Sequence, residues 1–239
     1  MQEKILKRTM VRIRVIVSVL LLLASGAFST NVEADTRDTV LTPAERALVD
    51  MPSDVLEIVP VSARLDMIDY LRADTLRYVP NAMNGLSRLL PPVTDSFVEM
   101  EVTPVSTVQI KILPEGGDGK TYIVGVSYTV GDTIQAKDSE LLFFTSDMKP
   151  LDRNRLIRIA SMEDFLTPGL VRKDREELLS LVPFPAVEYR FSPDGTELRA
   201  RLTVDRFMSL EDYDRLRPHL VEERIFRWSG KKYVMEKNK

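Results

Sequence analysis

Two aspartates one helical turn apart are the strongest chemical signal in this chain. Asp66 and Asp69 lie in the segment Arg64-Leu-Asp-Met-Ile-Asp-Tyr-Leu71, with Tyr70 beside them and Asp74 just beyond. Residues three apart on a helix are neighbours on its surface. Two carboxylates so placed can bind a hard cation, or share a proton and act as acid and base in a hydrolysis. Arg64, Arg72 and Arg77 flank them, so the competing expectation is a buried Asp–Arg lock that fixes the helix against a sheet. Trp228 is the second candidate. With Phe226 and Tyr233 it offers rings that can stack on a sugar or a peptide, although strand aromatics more often pair across strands.

Other chemistry is poorly supplied. The chain has no cysteine and one histidine, His219. Disulfides and thiolate catalysis are therefore excluded, and a typical zinc site has too few ligands. His219 follows Pro218, and no nucleophile-elbow sequence accompanies it. The run Glu115-Gly-Gly-Asp-Gly-Lys-Thr121 ends like a phosphate-binding loop, but Pro114 stands where that loop needs a glycine, and a strand rather than a helix follows. It reads as a hairpin tip. No catalytic residue, metal ligand or cofactor is assigned; Asp66, Asp69, Tyr70 and Trp228 remain as the candidate site.

The elements that must position these residues are read from periodicity. Thr42-Pro43 opens a helix, with Thr as the cap, Pro in the first turn and Glu45 completing a capping box. Ser53-Asp54 can cap a short second helix, ended by Pro60, and Ser62 opens a third through Arg72 with Leu65, Ile68 and Leu71 on its apolar side and Met67 beside them. Residues 42–90 thus read as a helical part. Phe97 to Val102 alternates like a first strand. Thr107–Leu113, Tyr122–Val130 and Leu141–Thr145 follow as a meander, with Val108, Ile110 and Ile112 on one face and Gln109 and Lys111 on the other. Short helices are expected at Ser161–Leu166 and Asp174–Val182, and an extended connection at Leu156–Ile159. A second meander runs Val187–Phe191, Glu197–Val204, Glu223–Trp228 and Lys232–Met235, with a helix at Ser209–Leu216 inserted. The string VQIKILPE is answered by VEYRFSPD, a pattern that a structural duplication would produce and that two unrelated meanders with the same strand-turn grammar would also produce. The expected fold is α+β: short N-terminal helices packed on two antiparallel meanders. Its divisions are 42–90, 97–151, 152–186 and 187–235 within one domain over residues 35–239.

The N-terminus reads as a leader. Lys4, Lys7, Arg8, Arg12 and Arg14 precede the apolar run Val15–Ala24, and Val32-Glu-Ala34 offers small side chains for cleavage before Asp35. The run is short for a membrane span. Removing the leader's five basic and two acidic residues from the chain's 33 and 36 leaves a net charge of −6. Such a surface does not suit nucleic acid or an anionic membrane.

Three strings carry a family resemblance: LVDMPSDVLEIV (Leu48–Val59), RLDMIDYL (Arg64–Leu71) and KDSELLFFTSDMKPL (Lys137–Leu151) followed by SMEDFL. Their succession resembles an uncharacterised family of exported Bacteroidales proteins, the domain-of-unknown-function family numbered 3256. The resemblance covers about Thr42 to Met235. It implies export and a single domain, and brings no catalytic residues with it. The expectation is an exported periplasmic or envelope protein, a non-enzymatic binding or accessory module with an envelope protein or glycan as partner. It has no nucleic-acid partner and no stable membrane insertion after cleavage. The alternatives are a carboxylate hydrolase using Asp66 and Asp69, and a structural subunit of a surface assembly that adds a strand at an open sheet edge.

Overall fold

The structure, a computed structural model, describes residues 40–75, 77–116 and 121–237. The leader, residues 1–34, and the hairpin-tip residues Gly119 and Lys120 lie outside the described residues.

Helix α1 (Pro43–Asp50) begins as its sequence dictates. The Thr42 hydroxyl accepts from the Glu45 N–H at 3.3 Å, and the Glu45 carboxylate accepts from the Thr42 N–H at 2.8 Å. These satisfy two donors that a helix N-terminus otherwise leaves open. Residues 53–59 form successive turns rather than the expected second helix. Helix α2 (Val61–Arg72) follows Pro60 and buries Ala63, Arg64, Met67 and Ile68. Leu65, expected inside, is exposed. The buried stripe is rotated because Arg64, a charged residue, takes an interior position.

Among the described residues, ten strands follow in two antiparallel sheets. The first contains β1 (Val79–Pro80), β2 (Leu86–Thr94), β3 (Phe97–Thr103), β4 (Ser106–Glu115), β5 (Thr121–Val130) and β6 (Asp138–Thr145), in sequence order. Between the sheets run α3 (Arg153–Leu156), a 3-10 turn (Met162–Phe165) and α4 (Arg172–Leu181). The second sheet has the order β10-β9-β8-β7, from β7 (Val187–Phe191), β8 (Glu197–Leu202), β9 (Glu223–Trp228) and β10 (Tyr233–Met235), with α5 (Leu210–Leu216) between β8 and β9. The α+β expectation is met. One division is corrected: the part read as helical to residue 90 contains β1 and most of β2. Leu86–Leu90 continues through Pro91-Pro92 as a strand, with a register irregularity between Leu90 and Thr94. Prolines belong on a strand where no ladder bond is needed. At Leu156–Ile159, the extended backbone begins only at Ile157, after the short helix α3.

Strand alternation divides the first sheet into two apolar faces. Val98, Met100, Val108, Ile110, Val124 and Val126 pack with Leu48, Leu56, Met67 and Ile68 from the helical part. Phe97, Leu113, Ile123, Leu141 and Phe143 pack with Tyr189, Phe191, Leu198 and Phe226 of the second sheet. Each such side chain contributes about 1.5–3 kcal/mol when fully buried. The polar positions of β4 consequently face protein rather than water. Gln109 is 3% exposed and Lys111 is 2% exposed.

Strand β7 lies over that polar stripe, and side chains of the first sheet take the place of a neighbouring strand. The Val187 N–H donates to Asp138 at 3.1 Å, the Tyr189 N–H to the Ser139 hydroxyl at 2.9 Å and the Phe191 N–H to Gln109 Oε1 at 2.8 Å. Ser127 Oγ donates to the Tyr189 carbonyl at 2.7 Å. The outer edge of β7 is thereby closed, which removes a site for unwanted strand pairing. Gly125 makes the approach possible. A Cβ there would stand 2.9 Å from the Phe191 ring, a distance that forces a shift.

Candidate functional site

The structure does not bring the candidate residues together. Asp66, Asp69 and Tyr70 are on α2, which packs on one face of the first sheet, whereas Trp228 is in the second sheet against the other face. Asp66 and Asp69 are both exposed, and neither carries a salt bridge or side-chain hydrogen bond to the described residues. The expected Asp–Arg lock is not formed. Arg72 pairs instead with Glu45 at 2.6 Å. Arg77 lies over the Tyr70 ring, 5.5 Å from its centre. The described residues contain no group of three or more His, Asp or Glu able to hold a metal ion.

Arg64 has a different role from the one its neighbours suggested. It is 1% exposed, and its guanidinium donates to five carbonyls. Nε reaches Val59 at 2.7 Å; Nη1 reaches Leu48 at 3.3 Å, Val49 at 3.1 Å and Met51 at 2.7 Å; Nη2 reaches Leu56 at 3.2 Å. The last carbonyls of a helix lack intrahelical partners and carry partial negative charge. Arg64 supplies donors to the end of α1 and to the turns after it. Burial lowers its pKa.

Trp228 is half-buried. Its indole N–H donates to the Pro114 carbonyl at 2.7 Å, and its ring meets Tyr233 edge-on with centres 5.1 Å apart. Trp228 and Tyr233 are directly opposite in the β9–β10 register, so the cross-strand arrangement is the one adopted. Tyr233 itself is buried, its hydroxyl has no partner among the described residues, and burial raises its pKa. His219 contributes its carbonyl to the Thr167 N–H at 2.8 Å.

A concave surface lined largely by charged residues lies on the second sheet. A groove of about 370 Å³ is lined by Gln109, Glu188, Arg190, Arg199, Arg201 and Glu223, among others. Alternation puts Val187, Tyr189, Phe191, Leu198 and Ala200 inward, so the charged residues between them share the opposite face. Cross-strand register sets Glu188 against Arg201 and Arg201 against Glu223. Arg190 Nη2 donates to both Glu99 oxygens, at 2.8 and 2.9 Å, and Nη1 lies 3.7 Å from Glu188. Lys137 approaches Glu188 at 3.2 Å, and Arg199 approaches Glu223 at 3.3 Å. Arg201 is exposed and makes no ion pair with the described residues. Sequence reasoning missed this set. Its signal was present in VEYRF and ELRARL, whose polar positions carry charge at every second residue.

Comparison with known proteins agrees with the strings that first marked the chain. Residues 41–233 match the family described as Protein of unknown function (DUF3256). The chain belongs to this family. Its fold is shared with a solved domain of an uncharacterized protein from Porphyromonas gingivalis W83, at TM-score 0.71 and 23% identity, covering 83% of this chain and 100% of that one. That likeness extends the DUF3256 fold to a second chain and speaks only of fold. No curated protein matches.

Proposed function

We propose that this DUF3256 protein is an exported, non-enzymatic binding module of the cell envelope, and that its ligand is a glycan held on the charged face of the second sheet. The observation that carries the reading is the grid of planar groups there. Glu188, Arg201 and Glu223 alternate across three strands, Arg190 and Arg199 stand opposite each other beside them, and most of the five are held in place by ion pairs. Guanidiniums only donate hydrogen bonds and ionised carboxylates only accept them. A near-neutral mixture of both, held rigidly, suits a ligand whose hydroxyls do both. It suits a simple anion less well. Export is supported by the basic stretch Lys4–Arg14, the apolar run Val15–Ala24 and the small residues at Val32–Ala34. Among the described residues no helix is long and apolar enough to cross a membrane.

The test has two arms. Protein recovered from fractionated cells should be in the envelope and begin at Asp35; a cytoplasmic product that keeps residues 1–34 would overturn export. Calorimetric titration with oligosaccharides released from the same envelope should show binding. Arg201→Ala should weaken it at least fivefold without moving the unfolding midpoint. Binding indifferent to Arg201 and to Glu223→Gln would remove the groove from the mechanism.

A further inference from the structure

The charged groove of the second sheet offers hydrogen bonds and little else. Its one ring belongs to Phe191, which is 2% exposed. A sugar has apolar C–H faces as well as hydroxyls, and sites for small organic ligands combine apolar walls with a few placed polar groups. The groove therefore meets only part of what a glycan presents. What it lacks is found on the other side of one turn. A second groove, of about 430 Å³, is lined by Ser96, Ile112, Pro114, Tyr122, Asp194 and Thr196, among others. Ser192 and Pro193 of the β7–β8 turn line the first groove, and Asp194 and Thr196 of the same turn line the second. On β4, Gln109 lines the first and Lys111 the second, with their Cα atoms about 7 Å apart.

The turn between the grooves is held in place. The Ser192 N–H donates to the Glu197 carbonyl at 2.9 Å, and Lys111 Nζ donates to the Pro193 carbonyl at 2.8 Å. It presents polar groups that the fold does not use. Asp194 is exposed and Thr196 half-buried, and neither side chain makes a hydrogen bond or a salt bridge with the described residues. The carboxylate can only accept, whereas the hydroxyl can donate and accept. Tyr122 is half-buried and lines the same groove. Its ring supplies a flat apolar surface with a polar tip. Because the turn is fixed before a ligand arrives, these groups bind without the cost of ordering a loop.

We propose that the glycan site has a second subsite in this groove, and that the ligand is an oligosaccharide long enough to cross the β7–β8 turn. One end of it bonds to the arginine–glutamate grid. A sugar further along stacks on Tyr122, and its hydroxyls meet Asp194 and Thr196. The inference rests on the glycan reading above and adds to it a length requirement and an aromatic contact. A single sugar fills one groove only. A ligand that fills both gains from the second at the high effective concentration set by the first.

The test separates the oligosaccharides released from the envelope by size and titrates the disaccharide and hexasaccharide fractions into the whole protein. The hexasaccharides should bind at least tenfold more tightly. Tyr122→Ala should remove most of that advantage. Thr196→Val keeps the side-chain shape on a surface turn and removes only the hydroxyl; it should weaken the hexasaccharides at least threefold with the unfolding midpoint unmoved, and so reads the same groove if the tyrosine variant folds poorly. Arg201→Ala should weaken the hexasaccharides from the other end. Equal affinity for the two lengths, or a length advantage that survives both Tyr122→Ala and Thr196→Val, overturns the second subsite and leaves an Arg201-dependent glycan site standing. Sensitivity to Tyr122 and Thr196 with none to Arg201 also overturns it, since the ligand then occupies the second groove alone. No binding of either fraction overturns the glycan reading and this inference with it.

Discussion

Arg64 and Lys111 are two buried cations on opposite sides of one sheet, and they are neutralised in different ways. Arg64 is enclosed by a single stretch of chain: its five carbonyl partners come from Leu48 to Val59. Lys111 joins parts of the chain that are far apart. Its ammonium donates to the Ser96 hydroxyl at 3.0 Å and to the Pro193 carbonyl at 2.8 Å, so it ties the first sheet to the β7–β8 turn. Asp194 lies near enough to favour its charge, while burial lowers its pKa. The guanidinium has five donors in a fixed fork and can serve many carbonyls at once; an ammonium is a compact charge with three. The helical side therefore depends on one residue acting as a local scaffold. The sheet side spreads its polar contacts over Gln109, Lys111, Ser127, Asp138 and Ser139, each with one or two bonds.

That difference predicts unequal sensitivity. Arg64→Met should have the largest effect, a loss of about 3–5 kcal/mol, because it leaves several buried carbonyls without donors. Denaturant unfolding measures it, and Arg64→Lys should recover only part. A loss below about 1 kcal/mol for the methionine variant would break the comparison. Lys111→Met should cost less, about 1–2 kcal/mol, and the loss should be local. Hydrogen exchange should quicken at Ser192 to Thr196 and not in α1 or α2.

Tyr189 sharpens the sheet side through pH. Its hydroxyl accepts from the Ala160 N–H at 2.8 Å, and burial pushes its pKa up from 10.0 to about 12. The folded state holds the proton more tightly than the unfolded chain. The contribution is therefore complete below pH 10 and is lost as the pH rises toward 12. Urea midpoints of wild type and Tyr189→Phe should converge across that interval; parallel curves would remove Tyr189 from the alkaline transition. The smallest effect is expected at Tyr233. Its buried hydroxyl lacks a partner among the described residues, so Tyr233→Phe should be neutral or stabilising by up to about 1 kcal/mol. A clear destabilisation would show that the hydroxyl is satisfied in solution.

The Thr42–Glu45 cap, the meander from β4 to β6 and the hairpin β7–β8 were legible because each rests on contacts within a few residues. The double-proline strand β2 was not. Pro91-Pro92 looks like a terminator, and only its place beyond β1, on a stretch of strand needing no outward donor, allows the strand to continue. The acidic pair on α2 drew attention by composition and proved to be an exposed helix face. The arginine–glutamate grid was spread over VEYRF, ELRARL and ERIFRW, and assembles only when three strands are in register.

By itself the sequence determined the family, the α+β class, the Thr42 cap and which residues of a strand share a face. Those follow from backbone geometry and from periods of two or three to four residues, which are local. The tertiary structure alone decided which faces meet protein and which meet water. Gln109 and Lys111 were on the polar side of β4 in either case. Whether that side was solvated or covered by β7 depended on contacts 82 residues away, and no local pattern encodes a distance of that kind.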